Sequence, residues 1–434
     1  MTELGSESNP LRVSIIGSGP AGFYAAGHLI KQQRKLAVAV DMFDRIPMPF
    51  GLVRYGVAPD HLKIKSVTKI YDRIASDPNF RFFGNVEFGK HITIDDLKEH
   101  YHQIIYSTGT QTDRKMDIVG EDLLGSHTAT EFVAWYNGHP DYCDHRFDLS
   151  QERAAVVGIG NVAVDVARIL CRTPDELKQT DMADYAIDAL QASNIKEVFI
   201  LGRRGPSQAA FTNPEAKELG ELAGADICVM PREADLDDLS RALLERVKDR
   251  TISRKVEILQ GYAMRKPTGK ARKLTVRFFV SPVELIGDQD GRVTKMRLLV
   301  NELYETENGT LRPRPTDDIE ELSVGLVFRS VGYRGVPLPG VPFNENWGVI
   351  LNEKGRVVDP EDQQPLIGEY TSGWVKRGPN GVIGTNKADS VETVTCMLDD
   401  LYDGITLQPS RRSAADVEAL IRQRQPEFFS YADC

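Results

Sequence analysis

The chain has 434 residues, enough for two or three domains, and its 41% hydrophobic and 27% charged residues are those of an ordinary globular protein. Its 53 Lys and Arg against 63 Asp and Glu give a formal net charge of -10, which argues against nucleic acid as a general partner, because such binding needs a broad basic surface. Residues 1–10 are polar and acidic, unlike a signal or mitochondrial transit peptide, and no apolar run reaches membrane-spanning length; the expectation is a cytoplasmic protein without membrane insertion.

The first predicted element is the strand Val13-Ser14-Ile15-Ile16, an apolar run that suits a buried parallel strand. Gly17-Ser18-Gly19-Pro20-Ala21-Gly22 follows and opens a helical stretch over residues 23–31. In this setting the first glycine makes the tight turn, and the second lets the backbone approach a pyrophosphate at the positive end of the helix. The third allows close helix–strand packing. The next strand, residues 36–43, ends at Asp44, about 20 or more residues past the glycines, where a carboxylate can accept from a ribose. Residues 47–61 are rich in Pro and Gly yet largely apolar, so they read as a shaped loop covering a ligand. Residues 104–109 form a strand and small-residue turn that return the chain towards the first dinucleotide.

Residues 140–151 are polar and irregular. Beyond them Ala154-Ala155-Val156-Val157 leads into a second fingerprint, Gly158-Ile159-Gly160-Asn161-Val162-Ala163, and a helix over residues 164–171. One fingerprint alone is weak evidence. Two, each between a strand and a helix, point to two dinucleotides, and hence to a flavin and a nicotinamide exchanging electrons. After an acidic helical insertion at 174–194, the strand Val198-Phe199-Ile200-Leu201 ends at Gly202-Arg203-Arg204. Two arginines thus stand where the first unit has Asp44, and guanidinium groups suit the 2′-phosphate of NADP as a carboxylate suits a 2′-hydroxyl. Asn213 reads as a helix N-cap and Pro214 as the first helical residue, a place where the dipole alone favours an acid such as Glu215. Residues 272–280 alternate like a strand, 282–286 resume it, and 293–300 return as its hairpin partner. Residues 326–335 form another strand and glycine turn, 388–401 have helical spacing, and 410–425 form a charged terminal helix. Cys143, Cys171, Cys228, Cys396 and Cys434 are scattered, with neither the close pair of a redox disulfide nor the cluster of an iron–sulfur site; no metal site is expected.

Pro49-Phe50-Gly51-Leu52-Val53-Arg54, Gly56-Val57-Ala58-Pro59-Asp60-His61, Gly160-Asn161-Val162-Ala163 and Gly202-Arg203-Arg204-Gly205-Pro206 occur together with Gly373-Trp374-Val375-Lys376-Arg377-Gly378-Pro379 and Gly381-Val382-Ile383-Gly384-Thr385-Asn386. In this combination the sequence resembles the adrenodoxin-reductase-type NADPH–ferredoxin reductases, over residues 13–401. The resemblance implies an α/β fold of two Rossmann-like dinucleotide-binding domains in a glutathione-reductase-like architecture. It also implies noncovalent FAD, NADPH as donor and a ferredoxin-type iron–sulfur protein as acceptor. The implied FAD-binding domain takes residues 1–109 and 329–434, with the NADP-binding domain over 110–328.

Carried over by position, the implied FAD site holds Gly17, Gly19, Ala21, Asp44, Leu52 and Val86, completed by Trp374, Gly381, Val382 and Ile383. Asp44 stands where the family more usually has glutamate. The implied NADP site holds Arg114, Ile159, Gly160, Asn161, Val162, Arg203, Arg204 and Glu215, with Gly381. His61, on the covering loop, and Glu215, positioning the nicotinamide carboxamide, are the implied catalytic residues; Glu218, one turn on, fits the second role equally. Two other readings compete. A disulfide reductase, or a donor to a larger complex, lacks its cysteine pair or cluster here. Against a non-catalytic nucleotide-binding protein, both fingerprints and the covering loop are intact, and nothing suggests a degenerate enzyme. An acidic ferredoxin needs a local basic face on this acidic chain, and Lys217 with the run Arg241, Arg246, Lys248 and Arg250 are the candidates.

Overall fold

Leu11–Ile16 is buried at all six positions because the strand runs inside a sheet with a hydrophobic core on either face: Val13 and Ile15 feed one, Ile16 the other. It pairs in parallel with Val38–Phe43 on one side and Gln103–Tyr106 on the other. The seven-stranded order is Asn352–Glu353, Arg356–Val358, Pro365–Thr371, Gln103–Tyr106, Leu11–Ile16, Val38–Phe43, Phe80–Phe83. The chain enters at the middle and builds outward in one direction, then returns to the other side. That leaves a switch point at the carboxyl ends of Leu11–Ile16 and Gln103–Tyr106, where open α/β sheets bind ligands. The computed structural model describes residues 3–34 and 36–434; Met1 and Thr2 of the polar N-terminal segment lie outside the described residues.

The chain forms two units, one of Met1–Val57, His61–Thr112 and Gly332–Cys434, the other of Ala58–Asp60 and Asp113–Val331. The second unit holds six parallel strands in the order Ser126–Thr128, Leu326–Arg329, Arg153–Val157, Glu197–Leu201, Arg272–Arg277, Ala225–Val229. Both units are α/β domains built around a mainly parallel sheet. Among the described residues, no helix is long and apolar enough to cross a membrane.

Residues 272–280 and 282–286 do not make one continuous arm of a hairpin. Arg272–Arg277 joins the parallel sheet beside Glu197–Leu201, and the chain then breaks at Phe279, whose φ of 58° lies in the left-handed region. Val280–Gly287 starts afresh in a separate antiparallel sheet with Val293–Glu305 and Leu311–Ser323. Likewise Asn213 is the first residue of its helix and not the cap. Its side chain donates to the Thr251 carbonyl at 3.2 Å, and Thr212 holds the cap position.

Candidate functional site

In the first unit the fingerprint divides into glycines the protein explains and one it does not. Gly17 has φ 107°, and a Cβ there would lie 2.6 Å from the Ser107 carbonyl oxygen, so the turn and the neighbouring strand both demand glycine. A Cβ on Gly22 would come within 2.3 Å of the Gly17 oxygen. Gly19 is different: its φ is -77°, and a Cβ would meet nothing within 4 Å. It caps the helix Pro20–Ile30 without a side-chain hydrogen bond, so the first amides of that helix and the bare Gly19 backbone form a cradle that fits a diphosphate.

Three segments close around this turn. Phe50 N–H donates to the Ser18 carbonyl at 3.0 Å, and a Cβ on Gly51 would stand 2.9 Å from Gly19 Cα, so the Pro/Gly loop lies directly on the fingerprint and presents Leu52, which is exposed. Gly373, at φ 82°, packs on Ala21, where a Cβ would approach to 2.6 Å, and Ser390 Oγ donates to the Ala21 carbonyl at 2.9 Å. These contacts bring Trp374 to the fingerprint helix; its ring stacks on Tyr333 at 5.7 Å, and its Nε1 donates to Asn380 O. Val382 stays 57% exposed beside Gly381, while Ile383 packs on the core.

Asp44 does more than end a strand. Its Oδ2 accepts from Ser18 N–H at 2.8 Å and Ser18 Oγ at 2.6 Å, and its Oδ1 accepts from Ile46 N–H at 3.0 Å. A carboxylate has about four acceptor positions, so Asp44 clamps the glycine turn and retains capacity for one ribose hydroxyl. Val86, buried, donates its N–H to the Asp44 carbonyl at 2.8 Å. His61 is half-buried at the start of the short helix Leu62–Lys65.

The second unit repeats the pattern. Gly158 has φ 133° and sits against the Ser330 carbonyl, whereas a Cβ on Gly160 would again meet nothing within 4 Å. Gly160 caps Asn161–Cys171, and Ala163, fully buried, takes the third fingerprint position. Asn161 then reaches sideways: its Oδ1 accepts from Thr212 N–H at 3.0 Å and its Nδ2 donates to Glu215 Oε1 at 3.1 Å. Ile159 O accepts from Ala210 and Phe211 N–H at 2.8 and 3.1 Å. The fingerprint turn, with Val162 half-buried at its end, is thereby laced to the start of the Glu215 helix. Glu215 Oε2 is buried with no hydrogen-bond partner in the protein, an acceptor that suits a carboxamide N–H. Glu218, one turn on, pairs with Arg168 at 3.2 Å. Asp165 also pairs with Arg168.

Gly202 packs against Ile159, and its backbone is held by Arg277 O and Val280 N–H at 2.9 and 3.0 Å. Asn301 Nδ2 donates to Arg203 O at 3.1 Å. The backbone of the arginine pair is therefore fixed while its guanidinium groups are not: neither Arg203 nor Arg204 forms an ion pair among the described residues. Burial and the like charge of Arg203 pull the Arg204 pKa below its ordinary value, and Arg204 Nε is buried without a partner. Two adjacent cations without a counter-charge fit a dianion. Arg114 is exposed near the start of this unit's main segment and takes no part in the lacing around Asn161.

Residues 11–202 match the pyridine nucleotide-disulphide oxidoreductase family model. An NADPH-ferredoxin reductase, FprA, from Mycobacterium tuberculosis is 46% identical, covering 98% of this chain and 92% of that protein. The mitochondrial NADPH:adrenodoxin oxidoreductase of Homo sapiens is 40% identical, over 97% of this chain and 85% of its own length. The solved structure of Mycobacterium tuberculosis FprA in complex with NADPH superposes with a TM-score of 0.90 at 44% identity, covering 98% and 92% of the two chains. The chain belongs to the adrenodoxin-reductase-type NADPH–ferredoxin reductases. As a member of this family it is an oxidoreductase with FAD and NADP as cofactors. The five cysteines of this reductase are all free thiols.

The Ser18–Asp44 clamp, the Asn161–Glu215 link and the burial of Arg168 are features that the spacing of the sequence does not announce. A signal for the last exists: Arg168 falls between Val164 and Cys171 on an otherwise apolar helix face.

Proposed function

We propose that this reductase oxidises NADPH and passes the electrons singly to a ferredoxin-type iron–sulfur protein. The reading is carried by the two fingerprints, each with a central glycine that no protein atom requires, one of them beside two uncompensated arginines. FAD, when bound, supplies the conversion of a two-electron donation into one-electron steps. The chain does the rest. Gly17, Gly19 and Ala21 hold the FAD diphosphate at the helix end, and Asp44 accepts from its ribose. Leu52, Val86, Trp374, Gly381, Val382 and Ile383 supply apolar walls that exclude water. Ile159, Gly160, Asn161 and Val162 hold the NADP pyrophosphate, Arg203 and Arg204 bind its 2′-phosphate, and Arg114 and Gly381 complete the NADP site. Glu215 Oε2 accepts from the carboxamide and so orients the nicotinamide.

No side chain acts as a nucleophile, and His61 orients its neighbours or exchanges protons at its imidazole. His61→Ala is expected to slow flavin reduction by about tenfold or less, short of full general-acid catalysis, with FAD still bound. Stopped-flow reduction by NADPH checks this. A rate unchanged across the pH range would make His61 purely structural.

The acceptor is supported by a set of exposed cations on the second unit. Lys217, Arg241, Lys248 and Arg250 are exposed and form no ion pair among the described residues. Arg246 is a weaker candidate, since its guanidinium is taken up by Glu305 at 3.1 Å and Gly309 O. Lys248 joins the helices Asp238–Val247 and Arg250–Ala263 with φ 53°, so Arg241 and Arg250 flank it on separate helices. Electrostatic docking raises encounter rates and is screened by salt. NADPH-driven reduction of an added [2Fe–2S] ferredoxin is therefore expected to fall with ionic strength more steeply than reduction of ferricyanide. Lys217→Glu and Lys248→Glu should raise the ferredoxin KM and spare ferricyanide. Reduction of ferricyanide with no reduction of any ferredoxin would overturn the assignment of the acceptor.

A further inference from the structure

Arg168 is the largest side chain among the described residues with essentially no exposed surface. A guanidinium loses several kcal/mol of hydration on burial and persists only where carboxylates and hydrogen bonds replace the water. Three carboxylates do so. Asp165 lies 3.0 Å away, one turn earlier on the same helix, and Glu218 lies 3.2 Å away at the end of Asn213–Glu218. Asp60 is the third, and Arg172, one turn later, also binds Asp60 at 2.5 Å. The cluster therefore joins three separate pieces of the second unit: the fingerprint helix, the helix that carries Glu215, and the short segment Ala58–Asp60.

What these pieces carry makes the cluster more than a stabiliser. Asp60 is the residue immediately before His61, and Glu218 stands one turn beyond Glu215 on the same helix face. One guanidinium thus grips the neighbour of each candidate catalytic group. Its planar donor fork fixes orientation as well as distance, which a lysine or an apolar side chain of equal volume would not do. An apolar replacement of a buried ion cluster is often as stable as the original, so stability alone does not call for an arginine here. We infer that Arg168 is a positioning residue for the reaction, setting His61 through Asp60 and Glu215 through Glu218 while touching neither substrate nor cofactor. The inference rests on the roles given above to His61 and Glu215.

Asp60→Asn and Glu218→Gln test it, because each keeps its volume and removes the charge that Arg168 binds. Arg168→Met strands three carboxylates, two of them nearly buried, and can fail to fold, so the two isosteric variants carry the experiment. Each FAD-loaded variant is expected to reduce its flavin with NADPH about threefold more slowly, within the loss expected for His61→Ala, with a displaced pH profile and little change in NADPH KM. The double variant should slow by less than the product of the two, since both losses act through one guanidinium. A second readout needs no turnover: in the FAD-loaded protein without nucleotide, amide hydrogen exchange should quicken over residues 58–64 in Asp60→Asn and over 213–218 in Glu218→Gln. Wild-type rates per bound flavin in both variants, with or without lowered thermal stability, would overturn the inference and leave Arg168 a structural residue. The parent reading fails separately: it falls if His61→Ala and Glu215→Gln themselves reduce flavin at the wild-type rate. Slow His61→Ala and Glu215→Gln beside fast Asp60→Asn and Glu218→Gln would sink the role of Arg168 alone.

Discussion

Arg203→Ala combined with Arg204→Ala is expected to cost about 100- to 10,000-fold in kcat/KM for NADPH while changing NADH turnover by about tenfold at most. Each guanidinium can make charge-assisted bonds to a 2′-phosphate worth about 1.5–3 kcal/mol, and about 1.4 kcal/mol is a factor of ten. The double change is selective because the segment is held by its backbone: Gly202 by Arg277 and Val280, and the Arg203 carbonyl by Asn301. Removing the two side chains leaves all of those bonds in place. It also relieves a repulsion, since the charge of Arg203 and burial both disfavour the charged form of Arg204. The unliganded protein should therefore be no less stable. Steady-state kinetics with both nucleotides decide the matter, and an equal loss for NADH would remove the phosphate role from the pair.

Gly19→Val should yield a folded, colourless protein. A side chain at Gly19 meets nothing within 4 Å and the φ of -77° is open to any residue, so neither packing nor backbone strain opposes the substitution. What it fills is the approach to the first amides of Pro20–Ile30, and no diphosphate can then reach them. Gly160→Val is the matched case, with the same open surroundings: it should stay yellow, keep one FAD per chain and lose reduction by NADPH. Gly22→Ala could not make this distinction, because its Cβ would press within 2.3 Å of the Gly17 oxygen and disturb the fold itself. Absorbance at the flavin bands with thermal denaturation reads both outcomes. A Gly19→Val protein that binds FAD as tightly as the parent would show that the diphosphate lies elsewhere.

Both fingerprints, the acid after one and the arginines after the other were legible in the sequence, because each depends on local spacing between an apolar strand and a helix. Features that depend on distant partners were not. Ser18 and Asp44 are 26 positions apart, Asn161 and Glu215 are 54, and nothing in either neighbourhood announces the bond. The alternation of residues 272–286 misled for a physical reason: a parallel strand and the antiparallel strand after it share a period of two, and only the left-handed turn at Phe279 separates them. Leu311–Ser323 does not read as a strand because it contains two prolines and a run of acids, residues that a sheet accepts chiefly on an edge strand, which it is. Asn213 looked like a cap because asparagine before proline usually is one, yet its amide serves Thr251 instead.

The first sheet also bears on the order in which the protein is made. Its strand Gln103–Tyr106 needs Pro365–Thr371 beside it, with Glu369 opposite Ile104, and the whole of Asp113–Val331 is translated between them. A nascent chain that has emerged through Val331 has every strand of the second sheet but lacks a side of the first. Domains fold as units during synthesis, and an insert that has already folded draws its two ends together, sparing the entropy of closing a loop of more than two hundred flexible residues. The second unit consequently has its whole sheet before the first does, and on the cofactor assignment proposed above a ribosome stalled before Gly373 is expected to carry a polypeptide that binds NADP more readily than FAD.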